Sequence, residues 1–204
     1  MLTPGSQWPT INGEKPDTLP FGPWHWCHPI VTMHHMNSEE INTFWHFERR
    51  RQLAQRESRS RQPLLIKDIF EEFLAPNLEA AREDWDNLAN DRYYLDTEGD
   101  TKWDKWYLEH MKKAEDYNEF EKKAHLSFED CGAACKSVSF EECFMWRYKD
   151  KMCSFSNSFL MGKPVKKESD ESKRTMSGWD LEKIHTWIQK QGTCGKVRWP
   201  NVKS

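Results

Sequence analysis

The 204-residue sequence carries 30 basic and 33 acidic side chains for a formal net charge of −3, and 37% of its residues are hydrophobic, with 11 Trp and 11 Phe among them. Without a basic excess there is nothing to draw a nucleic acid, and no apolar run is long enough to span a bilayer. Whatever core forms must rest on a few large aromatic side chains in local clusters.

Residues 1–24 are rich in Pro and Gly, lack the basic and apolar regions of a signal peptide, and read as an extended segment. Pro29-Ile30-Val31-Thr32-Met33 is an apolar, partly β-branched run that suits a short buried strand. A helix should follow at once, capped by Asn37 with Glu40 three positions on, and with Ile41, Phe44, Trp45 and Glu48 on one face. The arginine-rich stretch from Glu48 to Arg61 lacks apolar periodicity and reads as a solvated helix end and loop. Ile66, Ile69, Phe70, Phe73 and Leu74 keep helical spacing until Pro76, which should stop the helix. Residues 77–126, highly charged with scattered Trp85, Trp103 and Trp106, read as an irregular connector with helical pieces.

Ser127 is placed to cap a helix bearing Phe128, Cys131, Ala134 and Cys135 on one face. CFMWRY and MCSFS, joined through Lys149-Asp150-Lys151, should form a β-hairpin. A charged linker over 166–175 leads to a last helix marked by Ile184, Trp187 and Ile188 and ended by Gly192. Trp26, Trp45, Trp146 and Trp187 are the expected structural aromatics.

Three constellations bear on chemistry. His25, Cys27, His28, His34 and His35 offer imidazole and thiolate ligands. Their spacing matches no zinc finger, and a strand would put His34 and His35 on opposite faces, which leaves one histidine completing a metal site, or plain packing against Trp24 and Trp26. Asp84-Trp85-Asp86 has the two carboxylates that hold a divalent cation on a diphosphate, yet Ala80-Ala81-Arg82-Glu83 precedes it where an apolar strand is needed, so a solvated helix face is expected. Finally, four of the six cysteines crowd into 131–153, the density of a module matured in the secretory pathway. Cys131 and Cys135 project to one side of a helix and can both face the adjacent hairpin. The even count predicts Cys131–Cys153 and Cys135–Cys143, with Cys27 and Cys194 paired together or free.

At WCHPIVTMHHMNSEEINTFWHFER the chain resembles the fungal branch of glycosyltransferase family 31, the fringe and core 1 galactosyltransferase group. Gly13-Glu14-Lys15-Pro16 and Leu19-Pro20-Phe21-Gly22-Pro23 upstream, and Leu65-Ile66-Lys67-Asp68-Ile69-Phe70 and Asp84-Trp85-Asp86-Asn87 downstream, extend the likeness. The Cys131–Cys153 segment is similar to a degenerate PAN/apple module.

The resemblance implies an α+β chain: residues 1–90 as the C-terminal part of a GT-A domain, 91–126 as a charged connector, 127–165 as the cysteine module, and 166–204 as a linker with the C-terminal helix. It further implies transfer of a hexose, galactose first, from a UDP-sugar to a glycan or glycoprotein hydroxyl in β-1,3 linkage with inversion, at the lumenal side of a Golgi or other secretory membrane. Manganese would be held by an aspartate cluster and by His34, with His35 as the alternative. The donor-binding half, the aspartates and the catalytic base belong upstream in that family, together with a membrane anchor, so this portion is expected to be inactive alone, with no catalytic residue of its own. A non-catalytic carbohydrate- or protein-binding module is the competing reading, and a cytosolic metal-binding protein a third.

Overall fold

A computed structural model of the chain describes residues 12–13, 21–22, 26–30, 32–33, 35–59, 61–96 and 104–195, which form a mixed α+β protein with three disulfides. It divides into two compact units, Met1–Asn77 with Thr193–Ser204, and Leu78–Gly192. These bounds differ from the divisions expected at 90, 126 and 165, because segments on both sides of the cysteine module join its sheet.

In the first unit, β1 (Asn12–Gly13) and β2 (Thr32–Met33) pair in parallel, with Asn12 opposite Thr32. The expected strand is therefore short. Ile30 donates instead to the Leu64 carbonyl at 2.8 Å, and Pro29 bridges Leu65.

Helix α1 (Ser38–Glu57) begins in a full capping box: Asn37 Oδ1 accepts from the Glu39 and Glu40 amides, both at 2.9 Å, and the Asn37 amide donates to Glu40 Oε2 at 2.7 Å. It runs on through most of the arginine-rich stretch. Its inward face is only in part the one expected: Phe44 turns inward with Phe47, their rings 6.0 and 5.4 Å from Phe73, whereas Ile41 and Trp45 are 55% and 52% exposed. Two apolar stripes a residue apart are equally periodic, and only the helical segment around Phe73 chooses between them.

That segment is α2 (Ile66–Ile69), continued by a π-helical turn over Phe70–Leu74 and a 3₁₀ turn over Ala75–Asn77. Asp68 caps its start by accepting the Leu65 amide at 2.9 Å. Pro76 lies inside the closing turn rather than beyond it. Ile66, Ile69 and Leu74 are buried with Phe21, and the Phe21 and Trp26 rings stand 5.6 and 5.3 Å from Phe70.

The second unit holds, in chain order, β3 (Ala81–Glu83), β4 (Trp85–Asp86), β5 (Arg92–Leu95), α3 (Lys105–Glu109), α4 (Phe128–Ser137), β6 (Met145–Lys149), β7 (Met152–Ser156), β8 (Lys163–Pro164), β9 (Met176–Trp179) and α5 (Leu181–Gln191). Five strands make one antiparallel sheet in the order β3-β9-β6-β7-β5, and β4 pairs separately with β8. The β6–β7 hairpin turns on Asp150 and Lys151, whose φ angles of 49° and 60° give the two left-handed residues of a type I′ turn.

The expected connector at 91–126 thus contributes the edge strand β5, and β9, beyond the expected linker, lies between β3 and β6. Neither segment alternates strongly enough to declare itself. Each becomes a strand by pairing with a neighbour already in place.

Helix α4 starts at Ser127, whose Oγ accepts the Asp130 amide at 3.0 Å, and α5 starts at Asp180, which accepts the Lys183 amide at 3.1 Å. Gly192, at φ 59°, closes α5.

Candidate functional site

His34 and His25 lie outside the described residues, as do Trp24 and Trp103. His35 is described: it is exposed and has a left-handed φ of 61°, so the strand ends before it and strand alternation cannot set its direction. Cys27 offers no thiolate, because it is bonded to Cys194. Among the described residues no three His, Cys, Asp or Glu side chains gather so as to hold a metal. The described donors therefore do not by themselves fit a manganese ion.

Asp84 and Asp86 lie on no helix. β3 is drawn into register opposite β9, Asp84 takes a left-handed φ of 52°, and β4 continues beyond it. This arrangement sends the two carboxylates to different arginines. Arg174 donates to Asp84 from Nη2 at 2.6 Å and from Nε at 3.0 Å, and also reaches Glu83 at 2.8 Å. Arg147 Nη1 donates to Asp86 at 2.8 Å. The hydrogen bonds from Arg174 hold the Asp84 carboxyl below the usual carboxylate range. Both charges are balanced within the fold by these arginines.

The cysteines converge on the sheet. Cys131 on α4 is bonded to Cys153 on β7, and Cys135, one turn on, is bonded to Cys143 just before β6. Both bonds are fully buried, in a cluster with Tyr94, Ala134, Trp146 and Phe155. The Trp146 indole fits there because two glycines make room: a Cβ on Gly178 would come within 2.3 Å of its ring and one on Gly132 within 2.8 Å. A separate aromatic group joins Phe144 to Phe159 and Trp187, at 5.3 and 5.8 Å. Of the four expected structural aromatics, Trp26, Trp146 and Trp187 are buried, and Trp45 is exposed beneath the Arg49 guanidinium at 5.0 Å.

Sequence reasoning passed over Lys183. Its ammonium donates to the Cys135 and Val138 carbonyls at 2.6 and 2.7 Å, so one side chain of α5 satisfies the otherwise open C-terminal end of α4. Burial keeps this amine below the usual lysine range, against the nearby Asp180 carboxylate. Its place three residues after the Asp180 cap was the available signal, but nothing local says which carbonyls it meets. Beside it opens a cleft of about 500 Å³, with Lys136, Phe140, Glu182, Thr186 and Lys190 in its wall. Aromatic rings, hydroxyls, carboxylates and ammonium groups, Lys183 among them, line it and suit a hydroxyl-rich ligand.

The three disulfides indicate an oxidising secretory or extracellular environment. No helix among the described residues is long and apolar enough to cross a membrane. No known protein family, curated protein or solved structure matches the chain.

Proposed function

We propose that this chain is the C-terminal portion of a fringe-like glycosyltransferase of family 31. The whole protein would transfer a hexose, galactose first, from a UDP-sugar to a glycan or glycoprotein acceptor in β-1,3 linkage, with manganese, on the lumenal side of a Golgi membrane. The cysteine module at 127–165, within the second unit, would serve as a PAN/apple-like module that engages the acceptor. Support for the family comes from the Trp-Cys to Thr-Met-His-His block. The observation that carries the module's role is the helix α4 held by two buried disulfides against the β6–β7 hairpin, with the cleft between α4 and α5 beside it. Such a staple fixes a binding surface without a large apolar core.

Genomic sequence upstream of Met1 tests the family reading. An in-frame apolar anchor followed by an aspartate-rich strand is expected, and manganese-dependent hexose transfer by the extended protein should follow. An upstream stop codon with neither feature would overturn it. The 204-residue chain alone should show no turnover of UDP-galactose, UDP-glucose or UDP-N-acetylglucosamine above a heat-killed control. Turnover by the chain alone would mean that the donor-binding residues lie within it.

A second reading, a binding module without catalysis, is favoured by the pairing of Asp84 and Asp86 with arginines. Glycan-array binding lost in Phe140→Ala, combined with no transfer by any extended reading frame, would select it.

A further inference from the structure

The arginine-rich stretch at the end of α1 has no part in the reading above. Two hydrogen bonds fold the chain back on the helix there: Arg51 Nη1 and Gln55 Nε2 both donate to the Gln62 carbonyl, at 2.9 and 2.8 Å. Arg51 is itself tied to Glu48 at 2.8 Å, and Arg50 pairs with Glu72. Arg59 and Arg61 come alongside Arg56, and the three line a cleft of about 560 Å³ together with Gln52 and Gln55 among the described residues. Among the described residues no carboxylate lines this cleft and none of the three guanidinium groups has an ion-pair partner.

A bland account exists, since cations near a helix C-terminus complement its dipole. It does not explain Arg59. Just past the helix end, Arg59 sits at φ 55°, the left-handed conformation for which glycine is the unstrained choice. The chain accepts backbone strain and keeps a third guanidinium in the cleft. Planar guanidinium forks match phosphate oxygens two at a time, and the side-chain amides of Gln52 and Gln55 supply further donors.

We infer that this cleft is a binding site for a diphosphate group, three guanidinium groups facing a ligand of two to three negative charges. The inference stands on charge and shape in the first unit and does not depend on the glycosyltransferase reading. The diphosphate can come free, as pyrophosphate, or within a nucleoside diphosphate, and the test separates the two.

Titration calorimetry on the full chain at physiological ionic strength, with inorganic pyrophosphate, orthophosphate and UDP, tests it. Pyrophosphate should saturate one site and bind more tightly than orthophosphate. Arg56→Gln and Arg61→Gln should each weaken it by about tenfold, the effect of one charge-assisted contact. Arg59→Gly is the sharper variant: binding should fall by about tenfold while the melting temperature holds or rises, because glycine relieves the strain. Arg50→Gln, outside the cleft, should leave affinity unchanged. UDP equal to pyrophosphate identifies the diphosphate alone as the recognised group, and UDP bound more tightly identifies the nucleotide. Absence of saturable pyrophosphate binding, affinity indifferent to all three cleft substitutions, or orthophosphate bound as tightly as pyrophosphate would overturn the assignment.

Discussion

In the first unit the rings meet in two groups, Phe21 and Trp26 on Phe70, and Phe44, Phe47 and Phe73 on one another, and among its described residues the strands are the two-residue pair β1 and β2. The second fixes each large ring by strand register and covalent bonds: Trp146 stands opposite Phe155 on one side and Gly178 on the other, under a helix held by two disulfides. Ring-on-ring packing tolerates a shift of one ring by movement of the next. A ring wedged between two backbone glycines has no such freedom, so the second unit should be the more brittle to substitution at its centre.

The largest expected effect breaks that wedge. Gly178→Ala places a methyl group 2.3 Å from the Trp146 ring, with sheet backbone on either side. Its cost should be on the order of 3 kcal/mol or more, seen as loss of near-ultraviolet circular dichroism and a lower urea midpoint. Adding Trp146→Leu to the same chain should recover part of it. If Gly178→Ala alone melts like the parent, the ring is not wedged as described.

Next in size are the staples. Replacing Cys131 and Cys153 together by Ala should destabilise the second unit by about 2–4 kcal/mol. The Cys27–Cys194 bond closes a far longer loop, with a sequence separation of 167 against 22, and both of its cysteines belong to the first unit. Its removal should therefore lower the midpoint of the first unit and leave the second unchanged. Equal loss in both units would show that they unfold as one.

Acid provides a smaller and reversible probe. Hydrogen bonds from Arg174 and Arg92 lower the folded-state pKa values of Asp84 and Glu142 below their usual 3.8 and 4.5. The unfolded chain then binds more protons than the native one in this range, so stability rises with pH. The contribution is complete above those usual values and is lost as the pH falls below them. Thermal melts between pH 6 and about pH 3 should show this loss, with a shallower slope in Arg174→Gln. An unchanged slope would mean that the Asp84 pair adds nothing in solution.

The smallest effect is expected at Trp45. With its ring half in solvent, Trp45→Ala should change stability by less than about 0.5 kcal/mol, whereas Trp187→Ala, in the buried Phe144–Phe159 group, should cost about 3–5 kcal/mol. Comparable losses at the two positions would mean that the exposed face of α1 is covered in solution.

Local signals were legible where a few neighbouring residues complete an interaction among themselves. Asn37 with Glu40, Ser127 with Asp130, Gly192 and the Asp150-Lys151 turn each satisfy nearby backbone or tolerate a local conformation, and the sequence alone placed the elements they bound. Cys131 and Cys135 belong to the same class, because one helical turn puts them on one face. Other features rest on partners far along the chain. β9 is a strand because β3 and β6 flank it, Asp84 leaves the helical conformation because β3 must meet β9, and Lys183 is a cap because α4 ends beside it. For Trp45 and Phe44 the sequence determined an amphipathic helix and no more, since periodicity defines stripes but burial is decided by what packs against them. Hydrogen bonds and contacts between residues distant in sequence carry no local pattern, and only the tertiary structure chose among them.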